Sequence, residues 1–363
     1  MRAETSKIEN NNDRDSSIEL CRIFTMLFII AHHYVVNSGV IGMIKPENAM
    51  QFNSIFALLF GWGGKTGINC FVLITGYFMC KSNITLRKFF KLFLEIEFYK
   101  IVFFLIFLIT GYADFSFENL YKTLFPLHNI GNGFTSSFLV FYLFIPYLNK
   151  LLTVLTQKEH MQLIGICVLT ASIIQTFMEA SRGFTYIGWF MILYFIAAYI
   201  RLYPKEMFES KKIGTVLLVT SLILSFCSVF IGTYIYSRTG KSVYYDYVAD
   251  SNKFLALITS VSVFLFFKNL RIKYHPLINK VAASTYGVLL VHANSDTMRK
   301  WLWRDVLKNV EYFESNFFVL HAIGSVIGVF IISTFIDRIR IKFIEDIFFD
   351  GLIKIGNRLS VFK

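Results

Sequence analysis

The chain is a succession of long apolar runs separated by short polar intervals. Ten runs approach the length a helix needs to cross the hydrocarbon core of a bilayer, about 20 residues at a rise of about 1.5 Å each. They fall at roughly 20–37, 52–79, 92–111, 136–155, 161–178, 186–201, 213–235, 254–268, 281–298 and 317–336. The pattern predicts an all-α polytopic membrane protein, a bundle of about ten transmembrane helices. The run at 52–79 is long and interrupted by glycines, which fits a broken helix or a re-entrant piece. Those at 254–268 and 281–298 are the shortest or most polar.

The first run, ELCRIFTMLFIIAHHYVVN from Glu19 to Asn37, holds an acid and a base at its entrance and two histidines deep inside. Arg22 and His33 are eleven residues apart, which returns a helix to nearly the same face. Glu19, three residues before Arg22, joins that face. One polar stripe therefore climbs from a charged end to an imidazole roughly 16 Å along the axis. His32 points roughly 100° away and reads as a packing residue. For His33 the two readings are a polar seam between helices and a functional group, because an ionisable side chain inside a membrane segment is costly.

Composition agrees with the pattern. Hydrophobic residues make up 55% and charged residues 17%, and the mean hydropathy is +0.55, too apolar for a soluble domain. The net charge of +12 does not point to nucleic acid, because the basic residues sit in short loops between apolar runs. With the N-terminus in the cytoplasm, cytoplasmic segments hold 24 of the 36 lysines and arginines, and the opposite side ten. Lys65 and Lys100 fall inside runs. This asymmetry satisfies the positive-inside rule and predicts an even number of spans with both termini cytoplasmic. Residues 1–17 then form a flexible polar N-terminus, 18–340 the transmembrane domain, and 341–363 a basic amphipathic cytoplasmic tail. The first run has no small-residue cleavage site after it and reads as a retained anchor. The five cysteines show neither a CxxC pair nor metal-ligand spacing, so they read as packing residues and no metal is indicated.

Several polar groups outside the first run are candidates for chemistry. The segment GKTGINCFVLITGYFM (64–79) brings Lys65, Asn69 and Tyr77 into the bundle or its rim, while its glycines suit close helix approach. Arg87, Lys88 and Lys91 crowd the start of the third run. They express the positive-inside bias, or an anion site for phosphates beside a membrane cleft. Glu95, four residues after Lys91, suggests an internal ion pair, and Glu97 follows it. Glu179 and Arg182 lie in an outer loop, and a second, 237–250, carries three tyrosines and two aspartates that suit either a sugar or interfacial anchoring. STYGVLLVHANS (284–295) places His292 and Asn294 near the far end of the ninth run, as bundle hydrogen-bonding groups or substrate contacts.

These residues resemble the integral-membrane acyltransferase 3 family, mostly bacterial O-acyltransferases of cell-surface carbohydrates. The resemblance covers nearly the whole chain. It rests on Arg22, ten residues and His33, preceded by Ile18-Glu19, and on Phe71-Val72-Leu73-Ile74-Thr75-Gly76-Tyr77-Phe78, where Thr75 replaces the usual serine. Lys88 and Lys91 hold the spacing of a basic pair that is often two arginines, with Arg87 adjacent. A late pattern keeps His292 and has Leu289 where the family has tyrosine.

The resemblance implies transfer of an acyl group, most simply acetyl, from cytoplasmic acyl-CoA to a hydroxyl of a cell-surface glycan or its lipid-linked precursor, in the inner membrane of a bacterium. Catalytic roles then fall to His33 as general base, with Arg22 oriented by Glu19. Arg22, Arg87, Lys88 and Lys91 would hold the phosphates of acetyl-CoA. Asn69, Tyr77, His292 and Asn294 would serve the substrate or its oxyanion. The expected partners are acyl-CoA, a carbohydrate acceptor and the bilayer. The rival readings are a carrier or flippase for an anionic or glycan substrate without acyl transfer, and a purely structural or sensory membrane protein.

Overall fold

A computed structural model describes residues 14–127, 129–131, 133–178 and 185–345. Most of the expected flexible N-terminus (1–13), the loop residues Glu179 and Arg182, and the tail from 346 onward lie outside the described residues. The described chain is helical, without a strand. Leaving aside single turns, its helices are α1 (Ser16–His32), α2 (Phe52–Gly61), α3 (Gly64–Met79), α4 (Leu86–Ile109), α5 (Phe117–Leu124), α6 (Phe134–Val154) and α7 (Gln157–Phe177). There follow α8 (Tyr186–Leu202), α9 (Lys211–Thr239), α10 (Phe254–Lys268), α11 (Pro276–Ala282), α12 (Thr285–Ala293), α13 (Asp296–Lys300) and α14 (Phe318–Arg340).

Local chemistry sets the helix starts. Asp15 accepts from the amides of Ser17 and Ile18 and begins α1, and Thr156 with Glu159 forms a reciprocal capping box at α7. Glycine sets the closest approach. At Gly64 an added Cβ would lie 2.3 Å from the Cβ and Cγ of His32, so only a hydrogen there lets α3 seat against α1.

Among the described residues, six helices are long and apolar enough to cross a membrane: Ser16–Asn37, Phe52–Met79, Phe134–Val154, Gln157–Phe177, Lys211–Thr239 and Phe318–Glu345. Two shorter apolar helices are Tyr186–Leu202 and Phe254–Lys268. The expected spans at 92–111 and 281–298 fall largely on helix, yet neither meets both conditions. The first lies on α4, whose inner turns carry Glu95, Glu97 and Lys100; the second is divided between α11 and α12 at Ala283–Ser284. The long run at 52–79 is broken, as its glycines suggested, between α2 and α3.

The outer helices show a lipid-facing surface. Only 22% of the apolar window of α9 is buried inside the protein, and Val216, Ile223, Phe230 and Ile231 are exposed along it. α1 is the opposite case. It packs against α2, α3, α10, α11, α12 and α14, and so forms the axis of the bundle.

Candidate active site

Arg22 and Glu19 pair along α1 with 3.7 Å between Nε and Oε2, and among the described residues neither atom has a hydrogen-bond partner. Three turns on, α1 widens into a π turn over His33–Asn37. Such turns interrupt regular helices frequently at functional sites. His32 and His33 point apart, as successive positions of a helix do. His32 faces α2 and donates through Nδ1 to the carbonyl of Gly61 at 2.7 Å, a packing role. His33 instead meets α12, where its Nδ1 lies 3.0 Å from Nε2 of the fully buried His292. His292 also contacts the carbonyl of Val288 one turn back, at 2.5 Å through Nδ1. Trp303 packs edge-on against that ring, and Tyr34 against Trp303.

His33 lines a cavity of about 350 Å³. The inner walls are apolar, from Ile29 of α1, Ile68 of α3, Ile96 of α4 and Leu289 and Leu290 of α12. The rim is polar, with Lys100, Asn119, Lys122, Asn129, Asn294, Asp296 and Arg299. Lys100 donates to the carbonyl of Lys122 at 2.5 Å, Lys122 pairs with Glu118, and Arg299 pairs with Asp296. Amides and charged groups beside apolar walls and an imidazole can seat a polyhydroxylated molecule with one hydroxyl at that imidazole.

The cations expected to hold phosphates are elsewhere. Arg22, Arg87, Lys88 and Lys91 do not line this cavity. Arg87 is exposed at the start of α4. Lys88 donates to Ser82 Oγ and the carbonyl of Asn83 at 3.2 and 3.3 Å. Lys91 pairs with Glu345, and the local pair with Glu95 is not formed. Glu95 instead meets Arg340, which also binds Asp337 and Glu345; Tyr99 donates to Asp337.

Of the residues expected near substrate, Asn294 lines the cavity and donates its amide to Leu290. Asn69 is fully buried, accepting from Trp189 Nε1 at 2.9 Å and donating to the carbonyl of Ser251 at 2.7 Å. The Tyr77 hydroxyl accepts from Arg201 at 2.7 Å, and the guanidinium lies over its ring. The rim residues Lys100, Lys122 and Arg299 escaped sequence reasoning. Lys100 alone left a signal there, as a charge inside an apolar run.

Residues 15–338 match the model of a family described as an acyltransferase domain, acyltransferase 3. No curated protein and no solved structure matches the chain. Among the described residues, no group of three or more His, Cys, Asp or Glu is placed to hold a metal ion.

Proposed function

Because the chain belongs to the acyltransferase 3 family, we propose that it is a membrane O-acyltransferase with His33 as its general base. The acyl group, most simply acetyl, comes from acyl-CoA on the cytoplasmic side of a bacterial inner membrane. It goes to a hydroxyl of a cell-surface glycan or its lipid-linked precursor. The observation that carries this reading is His33 in the wall of a cavity that also holds amides and charged groups, hydrogen-bonded to a second imidazole.

The chemistry follows from those positions. A glycan hydroxyl entering past Asn119, Asn294 and Arg299 reaches His33, which takes its proton as the oxygen attacks the thioester carbonyl. The new C–O bond forms, the C–S bond breaks, and the proton passes from His33 to the departing sulfur of coenzyme A. Imidazole suits both transfers, since its neutral form accepts the proton and the imidazolium gives it up. Arg22, Arg87 and Lys88 supply cationic character for the donor's phosphates, and Lys91 contributes less because Glu345 holds it. Asn294, with its amide held by Leu290, leaves its carbonyl oxygen for the acceptor.

Purified protein in lipid nanodiscs, incubated with radiolabelled acetyl-CoA and a panel of surface glycans, should transfer label to carbohydrate. His33→Ala should lower the rate about 100-fold or more, the usual contribution of a positioned base. Movement of glycan across a vesicle without loss of thioester would favour a carrier instead. Full transfer by His33→Ala would remove His33 from the mechanism.

A further inference from the structure

The order of hydrogen bonds at His292 determines which nitrogen of His33 carries a proton. A carbonyl oxygen only accepts, so the contact between His292 Nδ1 and the Val288 carbonyl puts a hydrogen on that nitrogen. In a neutral imidazole the other nitrogen, Nε2, is then a lone-pair acceptor. His33 Nδ1 lies 3.0 Å from it, within hydrogen-bond distance, and must supply the hydrogen. The opposite tautomer of His33 would set two lone pairs against each other in a buried place, at the cost of an unmade hydrogen bond. His33 Nε2 is therefore left with its lone pair, and His33 lines the cavity.

We propose that His292 is a positioning residue, which holds His33 in the Nδ1–H tautomer with Nε2 as the base. This rests on the reading of His33 as the base in acyl transfer. The chain of bonds runs from the Val288 carbonyl through His292 to His33, all within one turn of α12 and the π turn of α1.

The pair also acts during the reaction. When Nε2 takes the hydroxyl proton, His33 becomes an imidazolium, and its Nδ1–H bond to His292 becomes charge-assisted and so stronger. An interaction stronger in the transition state than in the ground state accelerates the step. A carboxylate in place of His292 would stabilise the imidazolium more, but it would set a permanent charge deep among apolar helices. A neutral imidazole avoids that cost at rest. Its own Nδ1–H stays on the Val288 carbonyl throughout, and the transferred proton leaves from Nε2 to the sulfur.

The experiment uses the full chain in nanodiscs, labelled with 15N-histidine, with the resonances assigned by His33→Gln and His292→Gln. Expected is a pyrrole-type Nδ1 and a pyridine-type Nε2 for both residues in the unmodified protein. A pyridine-type Nδ1 on His33 overturns the proposal, and no variant has to fold for that reading beyond assignment. In parallel, His292→Ala should lower kcat for acetyl transfer roughly 10- to 100-fold, the usual effect of losing a group that orients a functional histidine, with the KM for acetyl-CoA unchanged. His292→Gln, whose amide oxygen can accept the same Nδ1–H, should recover most of that loss. Equal rates in all three proteins refute the positioning role. If no thiol is released by unmodified protein while the tautomers are as stated, the acyl-transfer reading fails and the tautomer assignment stands.

Discussion

Arg340 offers the sharpest test of how the helices under the cavity are held. Its side chain is 7% exposed and each guanidinium nitrogen has its own carboxylate: Nε to Asp337 at 2.9 Å, Nη1 to Glu345 at 3.0 Å, Nη2 to Glu95 at 2.8 Å. Lys91 holds the second oxygen of Glu345, and Tyr99 donates to Asp337 at 2.8 Å. Three acids thus face two cations, and Arg340→Met would leave them with Lys91 alone. Removing one partner of a buried ion pair costs about 3–5 kcal/mol, because the remaining charges stay desolvated without compensation. Lysine at this position keeps the charge but cannot reach three carboxylates in a plane, so Arg340→Lys should cost about half as much. Adding Glu95→Gln to Arg340→Met removes one of the stranded acids, and the double variant should lose less than the sum of the two single losses. SDS-titrated unfolding of purified protein in mixed micelles measures all of these. A loss below about 1 kcal/mol for Arg340→Met would place the cluster among solvent-screened surface pairs and refute the reasoning. The cluster bears on function as well. Gly287 packs so closely on Asp337 that an added Cβ would lie 2.1 Å from its carboxylate, and one turn beyond it come Leu290 of the cavity wall and Val291 before His292.

Two further outcomes follow from the same contacts. Gly64→Ala should destabilise by about 1–3 kcal/mol through overpacking against His32, and slow acyl transfer about 100-fold if His33 moves by an ångström, whereas Gly324→Ala, with nothing within 4 Å, should change neither; thermal unfolding and turnover of acetyl-CoA check both. Arg22→Gln should raise the KM for acetyl-CoA about tenfold with kcat nearly constant, the signature of a lost charged contact made equally in ground and transition states, and an unchanged KM removes Arg22 from the donor site.

Much of the bundle was legible because apolar length is a local property. Among the described residues, six of the ten runs became helices long and apolar enough to cross a membrane, and the break between α2 and α3 was announced by its glycines. Pairing was not legible, because it is decided by competition over long separations. Lys91 and Glu95 had the helical spacing for an ion pair, worth about 0.2–0.5 kcal/mol on an exposed face. Arg340, 245 residues from Glu95, brings a buried fork of charge-assisted bonds and wins Glu95, while Lys91 turns to Glu345. His33 shows the same division within one helix. Its face could be read from Arg22 because every residue between them lies in regular α-helix, where the period of 3.6 holds. From His33 onward the backbone is a π turn, and no glycine or proline in HYVVN signals it. Spacing therefore placed His33 on the Arg22 face and stopped there. Its partner, 259 residues away, emerged only once α12 lay beside α1.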